Sequence, residues 1–196
     1  MKKIIIISLL LFSGWMSAGA VDLNKENRDP KYVESIINRS QKIVDKLGIT
    51  DAKVAEDVRN IIANRYFELN DIYEVRDAKV KKVKESGLTG DAKAEALKAA
   101  ENAKDAALYR SHFAFPANLS LFLDEKQIEA VKDGMTYGVV KVTYDSHLDM
   151  IPTLKEEEKA QIYAWLVEAR EFALDAENSN KKHEAFGKYK GSINNY

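Results

Sequence analysis

Apolar residues recur at helical spacing along most of this chain, and the longest such stripe covers about thirty residues. From Val54 to Val83 apolar side chains return every three or four positions, which is the period of one helix face. The chain has three prolines and many Ala, Lys, Glu and Leu residues, which favour helices. The sequence therefore predicts an all-α fold, a helical bundle of five or six helices.

Two neighbouring segments predict one long antiparallel helical hairpin within this bundle. The long stripe ends at a turn, Ser86–Gly90, and the segment from Asp91 to about His112 is rich in alanine. Small side chains let two helices approach closely, so we expect the segments on either side of the turn to pack together. The tip at 83–95 carries few apolar residues, and we expect it to extend beyond the core.

Helix start signals divide the rest of the chain. Pro30 suits the first position of a helix, and Gln127 and Glu156 each lie three residues after a capping candidate. An apolar connector, 113–123, precedes the fourth helix. For segment 136–150 the sequence is compatible with either a helix or a short strand. We favour the helix, because an isolated strand leaves backbone groups unpaired. The predicted N-caps are Asp29, Thr50, Asp124, Thr153 and Ser179.

The first twenty residues have the composition of a signal peptide. Lys2 and Lys3 precede an apolar run, 4–12, that is long enough for a signal and too short to span a bilayer. Ala18-Gly19-Ala20 supplies the small residues that signal peptidase reads. We expect cleavage after Ala20, a single all-helical domain over 21–196 that begins with a loose polar lead-in, and a periplasmic or secreted location. An uncleaved membrane anchor is the alternative.

The charge and the missing cysteines exclude several classes of protein. Without Lys2 and Lys3, the 30 basic residues become 28 against 31 acidic ones, a formal charge of −3 for 21–196. This balance argues against a general nucleic-acid binder, which needs a basic face. With no cysteine, the fold relies on packing, and thiol nucleophiles and thiolate metal sites are excluded. No later apolar stretch reaches membrane-spanning length, so no stable span is expected after cleavage.

Motifs for catalysis or cofactor binding are absent from the sequence. The three histidines, His112, His147 and His183, are far apart, so no metal site is predicted. Ser146 beside His147 is adjacency and not a triad, and no nucleophile elbow or glycine-rich phosphate loop is present. We therefore predict no catalytic residue, metal or cofactor. The alternative is an enzyme acting on glycans, with His147 and a nearby carboxylate as acid and base.

The C-terminal half carries a set of aromatic, amide and basic side chains. The apolar stripe of its main helix runs through Tyr163, Leu166 and Arg170, so Trp165 falls toward the flank. A half-exposed indole offers a flat apolar face and one N–H donor, which suit the C–H face and hydroxyls of a sugar. The alternative is that Trp165 packs against a neighbouring helix. The predicted ligand-binding residues are Tyr137, Lys141, Tyr144, His147, Trp165, Arg170, Tyr189 and Asn194.

Four blocks of the C-terminal half resemble an exported bacterial family, the domain-of-unknown-function family 3826. The blocks are Val131–Val139, Met150–Pro152, Glu157–Glu171 and Lys188–Tyr196. The resemblance is specific over about 120–196 and looser in the N-terminal half. It implies an envelope location and a carbohydrate setting, because the family is described as sugar-binding and occurs in Gram-negative polysaccharide degraders. It supplies no catalytic residues.

Three functions follow as hypotheses. The first is a non-catalytic exported protein that binds a carbohydrate or glycan fragment, or assists polysaccharide utilisation. The second is a helical protein–protein interaction or chaperone-like envelope module, since the helix starts at 49–53, 123–127 and 154–158 also resemble those of exported envelope-stress chaperones. The third is the glycan enzyme with His147 as acid and base.

Overall fold

The computed structural model describes residues 20–196, and in this range the protein is all-α, as the sequence predicts. The signal-peptide prediction falls on residues 1–19, which lie outside the described range. Within 20–196, no helix combines the length and apolarity needed to cross a membrane. The seven helices of the described residues are α1 (Pro30–Val44), α2 (Ala52–Glu85), α3 (Gly90–Leu119), α4 (Glu125–Met135), α5 (Val139–Met150), α6 (Glu156–Leu174) and α7 (Ser179–Asn194).

The count of seven differs from the predicted five or six, and the two segments that the sequence left uncertain are helical: one forms α5 and the other lengthens α3. Tyr137 and Gly138 adopt left-handed φ values of 63° and 66°, which turn the chain between α4 and a separate α5. The predicted connector is mostly the end of α3, which continues through Pro116. Phe115 and Leu119 are buried there, and this packing outweighs the hydrogen bond that proline removes.

Two of the five predicted N-caps are confirmed. The Asp29 carboxylate accepts from the Tyr32 N–H, and Asp124 forms a reciprocal capping box with Gln127. The other three are wrong by one or two positions, because Asp51 and Asn178 lie next to two of the predicted hydroxyls and α6 begins later than predicted, with Lys155 at its N-cap position. Asp51 caps α2, the Glu158 carboxylate accepts from the Lys155 N–H at α6, and Asn178 caps α7. Thr50, Thr153 and Ser179 therefore do not cap.

Two large apolar clusters and a smaller third one around Ile36, Ala63 and Phe67 form the interior of the described residues. The first cluster joins α1, the N-terminal half of α2, the end of α3 and α4, with Val58, Ile62 and Leu119 fully buried at its centre. The second cluster joins α5, α6 and α7 around Leu166, Ala169 and Phe186. The α6 side chain on the buried stripe is Ile162, whereas the predicted Tyr163 is about half exposed. Charged and polar contacts from α6 and α7 connect the two clusters.

The lead-in, expected to be loose, is bound along α2. The Asn64 side chain accepts from the Asn24 N–H and donates to the Asp22 carbonyl, both at 2.8 Å. Arg28 makes a two-pronged pair with Asp71 at 2.7 and 2.8 Å and lies over the Phe67 ring. These contacts are between residues about forty positions apart, so the local sequence gives no sign of them.

Candidate functional site

A groove of about 480 Å³ lies where the pair α2 and α3 meets the pair α6 and α7. Side chains from all four helices, and from the turn between α6 and α7, line it. A concave surface of this size is the usual form of a small-ligand site. The groove is therefore the candidate functional site, and its lining residues include Tyr73, Arg76, Lys104, Tyr109, Phe172, Asp175, Lys181 and Lys188.

The turn after α6 positions the floor of the groove. The Tyr73 hydroxyl donates to the Asp175 carbonyl at 2.8 Å, and Arg76 donates to the Glu177 carboxylate at 3.0 Å. Burial raises the pKa of Tyr73, so the phenol keeps its proton and remains a donor. Arg65, buried on α2, donates to the Asp175 carboxylate at 2.5 Å. The start of α7 is thereby fixed against α2.

Exposed aromatic rings stand on both walls of the groove. Tyr109 of α3 is 69% exposed and Phe172 of α6 is 62% exposed. Each has a second ring beside it: Phe113 meets Tyr109 edge-on at 5.2 Å, and Tyr189 lies 6.4 Å from Phe172. Large exposed rings around a concavity are characteristic of interaction sites, since most such rings are buried elsewhere in a fold.

Two lysines that line the groove are paired with carboxylates. Lys104 lies 2.8 Å from Glu101 and 3.0 Å from Asp105. Burial opposes the charge on Lys104, but these hydrogen bonds outweigh it and the pKa of the lysine is raised. Lys181 lies 2.6 Å from Glu184. The walls therefore offer both cationic donors and carboxylate acceptors to a ligand.

A second polar cluster lies behind the floor of the groove. The His112 ring has Nδ1 3.0 Å from Asp175 Oδ2 and Nε2 3.8 Å from Glu171 Oε2. Arg65 also donates to the Ser111 hydroxyl at 2.6 Å. Asp175 thus belongs both to the groove and to this cluster, and it connects residues of α2 and α3 to the end of α6.

Arg170, one of the predicted ligand-binding residues, is buried and fully engaged. Its side chain is 2% exposed. It donates to Asp133 at 2.8 Å, to Glu129 and to Glu171. Burial would lower the pKa of Arg170, but these carboxylates dominate and hold it above its ordinary value. This guanidinium ties α6 to α4.

Tyr144 and Trp165 pack against the second apolar cluster, and His147 lies on the same helix as Tyr144. His147 is buried, and its Nδ1 is 2.7 Å from the Thr143 carbonyl of its own helix. Tyr144 meets Tyr163 edge-on at 5.3 Å, and Trp165 meets Tyr196 edge-on at 5.1 Å. In the described residues His147 has no carboxylate as a hydrogen-bond partner, so it lacks the pairing that the enzyme hypothesis requires.

The remaining predicted residues are spread over the surface. Tyr137 is about half exposed and stacks on His183, with ring centroids 5.8 Å apart. Lys141 pairs with Asp145 in solvent, and Asn194 is exposed at the end of α7. Tyr189 comes nearest to the groove, through Phe172. None of the eight predicted residues lines the groove itself.

Sequence reasoning missed Tyr73, Tyr109 and Phe172 as groove residues. Phe172 carries a usable signal, because it is an aromatic residue off the buried stripe of α6, whose members include Ile162, Leu166 and Ala169. A metal site is not supported in residues 20–196, where no group of three or more His, Asp or Glu side chains is arranged to hold an ion.

Comparison with known proteins finds one family. A family model described as "Protein of unknown function (DUF3826)" matches residues 33–196, which include all seven helices except the first three residues of α1. No curated protein matches the chain.

Proposed function

We propose, for a chain that belongs to the DUF3826 family of proteins of unknown function, that the groove between α2–α3 and α6–α7 binds a carbohydrate without catalysis. The observation that carries this proposal is the pair of exposed rings, Tyr109 and Phe172, on opposite walls of a concavity that also holds paired charges. A sugar ring has an apolar C–H face and a polar rim, so it needs both kinds of surface in one site.

The charged side chains of the groove suit hydroxyl groups. A sugar hydroxyl donates one hydrogen bond and accepts others, so it can bridge a lysine and a carboxylate that already form a pair. Lys104 with Asp105, and Lys181 with Glu184, offer such pairs. We propose binding and not catalysis because these groups are held as ion pairs, which favours hydrogen bonding over proton transfer.

We further propose the cellular setting and one feature of the architecture. The composition of residues 1–20 supports export and cleavage near Ala20, and hence a periplasmic or secreted protein of glycan utilisation. We infer that α2 and α3 form the long antiparallel hairpin, because Arg65 bonds Ser111 while Arg76 lies 3.8 Å from Glu101. The contact residue on α3 comes earlier in the chain when the contact residue on α2 comes later, which supports an antiparallel arrangement of the two helices.

Titration calorimetry of the purified protein against a panel of neutral and acidic oligosaccharides tests the carbohydrate proposal. We expect at least one glycan to bind, and Phe172→Ala and Tyr109→Ala each to weaken it about tenfold or more, as loss of a stacking platform does. Tyr163→Ala is the matched control, because Tyr163 is an exposed ring on α6 that does not line the groove.

Two outcomes would contradict the proposal. No binding across a broad glycan panel would remove its basis. Binding that falls in Trp165→Ala or Tyr137→Phe while Phe172→Ala leaves it unchanged would move the site from the groove to the residues first predicted from the sequence.

A second candidate, a protein–protein or chaperone-like module, has one specific observation in its favour. Phe113 of α3, whose ring meets that of Tyr109, and Leu121, just after the end of α3, are 58% and 54% exposed. A peptide segment rich in apolar residues would cover such a surface. Suppression of client aggregation that is lost in Phe113→Ser, with no glycan binding, would favour this candidate.

A further inference from the structure

A buried carboxylate on α2 receives the backbone nitrogen of Val21. The Asp57 side chain belongs to a residue that is 4% exposed, and its Oδ1 accepts from the Val21 nitrogen at 2.7 Å. Arg65, the other buried charged residue of α2, pairs with Glu68 and Asp175, but among the described residues Asp57 has no lysine, arginine or histidine within salt-bridge distance. Its one strong interaction is with the start of the lead-in.

This arrangement is unfavourable when the Val21 nitrogen is an ordinary amide. A buried carboxylate without a cation loses its hydration, and one neutral N–H compensates only part of that loss. The same nitrogen as an α-ammonium would supply a full positive charge and two further donors. An α-amino group is largely protonated at neutral pH, since its ordinary pKa is about 8.

The backbone around Val21 is held in place by further side chains of α2. Asn60 donates from Nδ2 to the Val21 carbonyl at 2.7 Å, and Asn64 holds both Asp22 and Asn24. Asp57, Asn60 and Asn64 are spaced by three and four positions, so they lie on one face of the helix. The face binds the backbone of residues 21–24 and places the nitrogen of residue 21 against the carboxylate.

We propose that the chain is cleaved between Ala20 and Val21 and that the new α-ammonium forms a buried salt bridge with Asp57. Hydrolysis adds water across this amide bond, leaving a carboxylate on Ala20 and the ammonium on Val21. The small residues Ala18, Gly19 and Ala20 precede the bond, as a signal peptidase requires. The fold therefore reaches its full stability in the processed chain. This inference is independent of carbohydrate binding.

Two measurements on the protein as it is exported test the cleavage and the salt bridge. The full chain is expressed in a Gram-negative host and the exported product is analysed by intact mass, which we expect to show Val21 as its first residue. The pKa of its α-amino group is then measured by NMR, and we expect a value about one unit or more above the ordinary value, because a charged partner favours the ammonium.

A double-mutant cycle distinguishes the salt bridge to the α-ammonium from any other contribution of Asp57 to stability. Asp57→Asn is compared in the processed chain and in a chain extended by Ala20, which has an amide at Val21. We expect Asp57→Asn to lower the folding equilibrium constant at least about tenfold more in the processed chain than in the extended one. Asp22→Asn, an exposed acid in the same segment, is the control for long-range charge and should show no such difference.

Three results would overturn the proposal. They are a first residue other than Val21, an α-amino pKa at its ordinary value in the exported protein, or an equal effect of Asp57→Asn in both chains. If Asp57→Asn does not fold, the α-amino pKa of the unmodified exported protein still decides the question.

Discussion

Lys182 is a buried lysine at the start of α7. It is 5% exposed, and its Nζ donates to the Met135 carbonyl at 3.1 Å. Burial, reinforced by Arg39 of α1 and Arg65 of α2 and partly offset by Asp175, lowers the pKa of Lys182 to about 8. The ring of Tyr66 also faces the ammonium, at 6.0 Å. The folded protein therefore carries this charge at a cost.

We predict that Lys182→Met stabilises the protein at pH 7 by roughly 1–3 kcal/mol. The variant no longer bears the free-energy cost of a charged, buried lysine, but it loses the hydrogen bond that this lysine donates. Below pH about 8 the lysine is charged in both states and the cost is complete. Between pH 8 and 10.5 the unfolded chain binds more protons, so the wild-type protein gains stability as pH rises and the difference narrows.

Urea denaturation from pH 7 to 10.5 measures this narrowing. Lys190→Met, at an exposed position on the same helix, is the control and should give a difference that does not change with pH. Parallel curves for the wild-type protein and Lys182→Met would show that burial of the lysine carries no such cost.

Arg170 shows the opposite case, a buried cation whose charge is fully compensated. We predict that Arg170→Met lowers the free energy of unfolding by about 3 kcal/mol, because Glu129, Asp133 and Glu171 lose their shared partner between α4 and α6. Thermal and denaturant unfolding followed by circular dichroism measure the change. Lys141→Met removes a solvent-exposed pair on α5 and should leave stability unchanged, whereas similar losses in both variants would refute the role assigned to burial.

At the scale of the helices, α4 approaches α1 closely at Gly134. A methyl group at this position would lie 3.0 Å from both Cγ atoms of Ile43, which is itself buried in the first apolar cluster. Glycine in a helix normally costs about 1 kcal/mol relative to alanine. At Gly134 that cost allows the two helices to pack, since the buried Ile43 side chain would have to shift to admit a methyl group.

We predict that Gly134→Ala destabilises the protein by about 1–2 kcal/mol, because overpacking outweighs the gain in helix propensity. Gly187→Ala on α7 is the matched comparison: nothing lies within 4 Å of the added methyl, so this change should stabilise the protein by up to about 1 kcal/mol. Denaturant unfolding measures both, and in an Ile43→Ala background, which lacks both Cγ atoms, Gly134→Ala should no longer destabilise the protein. Stabilisation by Gly134→Ala would contradict the close packing of α1 and α4.

The elements could be predicted from the sequence wherever their signals are local. Asp29 and Asp124 are recognisable caps because their partners are three residues away. The predictions of Thr50 and Ser179 as N-caps were wrong because Asp51 and Asn178, one position away, are equally good acceptors, and tertiary packing decides between them. The predicted end of the third helix near His112 was wrong because burial of Leu119 outweighs the local effect of Pro116.

At the scale of the whole molecule, the groove could not be predicted because its parts are far apart in sequence. Asp175 contacts Arg65, which lies 110 residues earlier, and His112, which lies 63 residues earlier. Neither the pattern around Asp175 nor the resemblance of 120–196 to a family reveals these pairs. Three of the aromatic residues chosen from the C-terminal half, Tyr144, Trp165 and Tyr189, instead pack against the second apolar cluster.

The distribution of buried residues predicts how stability varies along α2 and α3. Buried side chains reach Leu69 on α2 and resume at Ala100 on α3, while every side chain over 70–99 keeps contact with solvent. In hydrogen exchange followed by mass spectrometry, we expect amides at 78–98 to exchange by local opening, and those at 58–67 and 108–119 to approach the protection set by global unfolding. The distal part has little apolar area to lose, so its opening costs little. Equal protection along both helices would mean that something outside the described contacts covers the distal part, and a partner bound there would then become the first explanation to test.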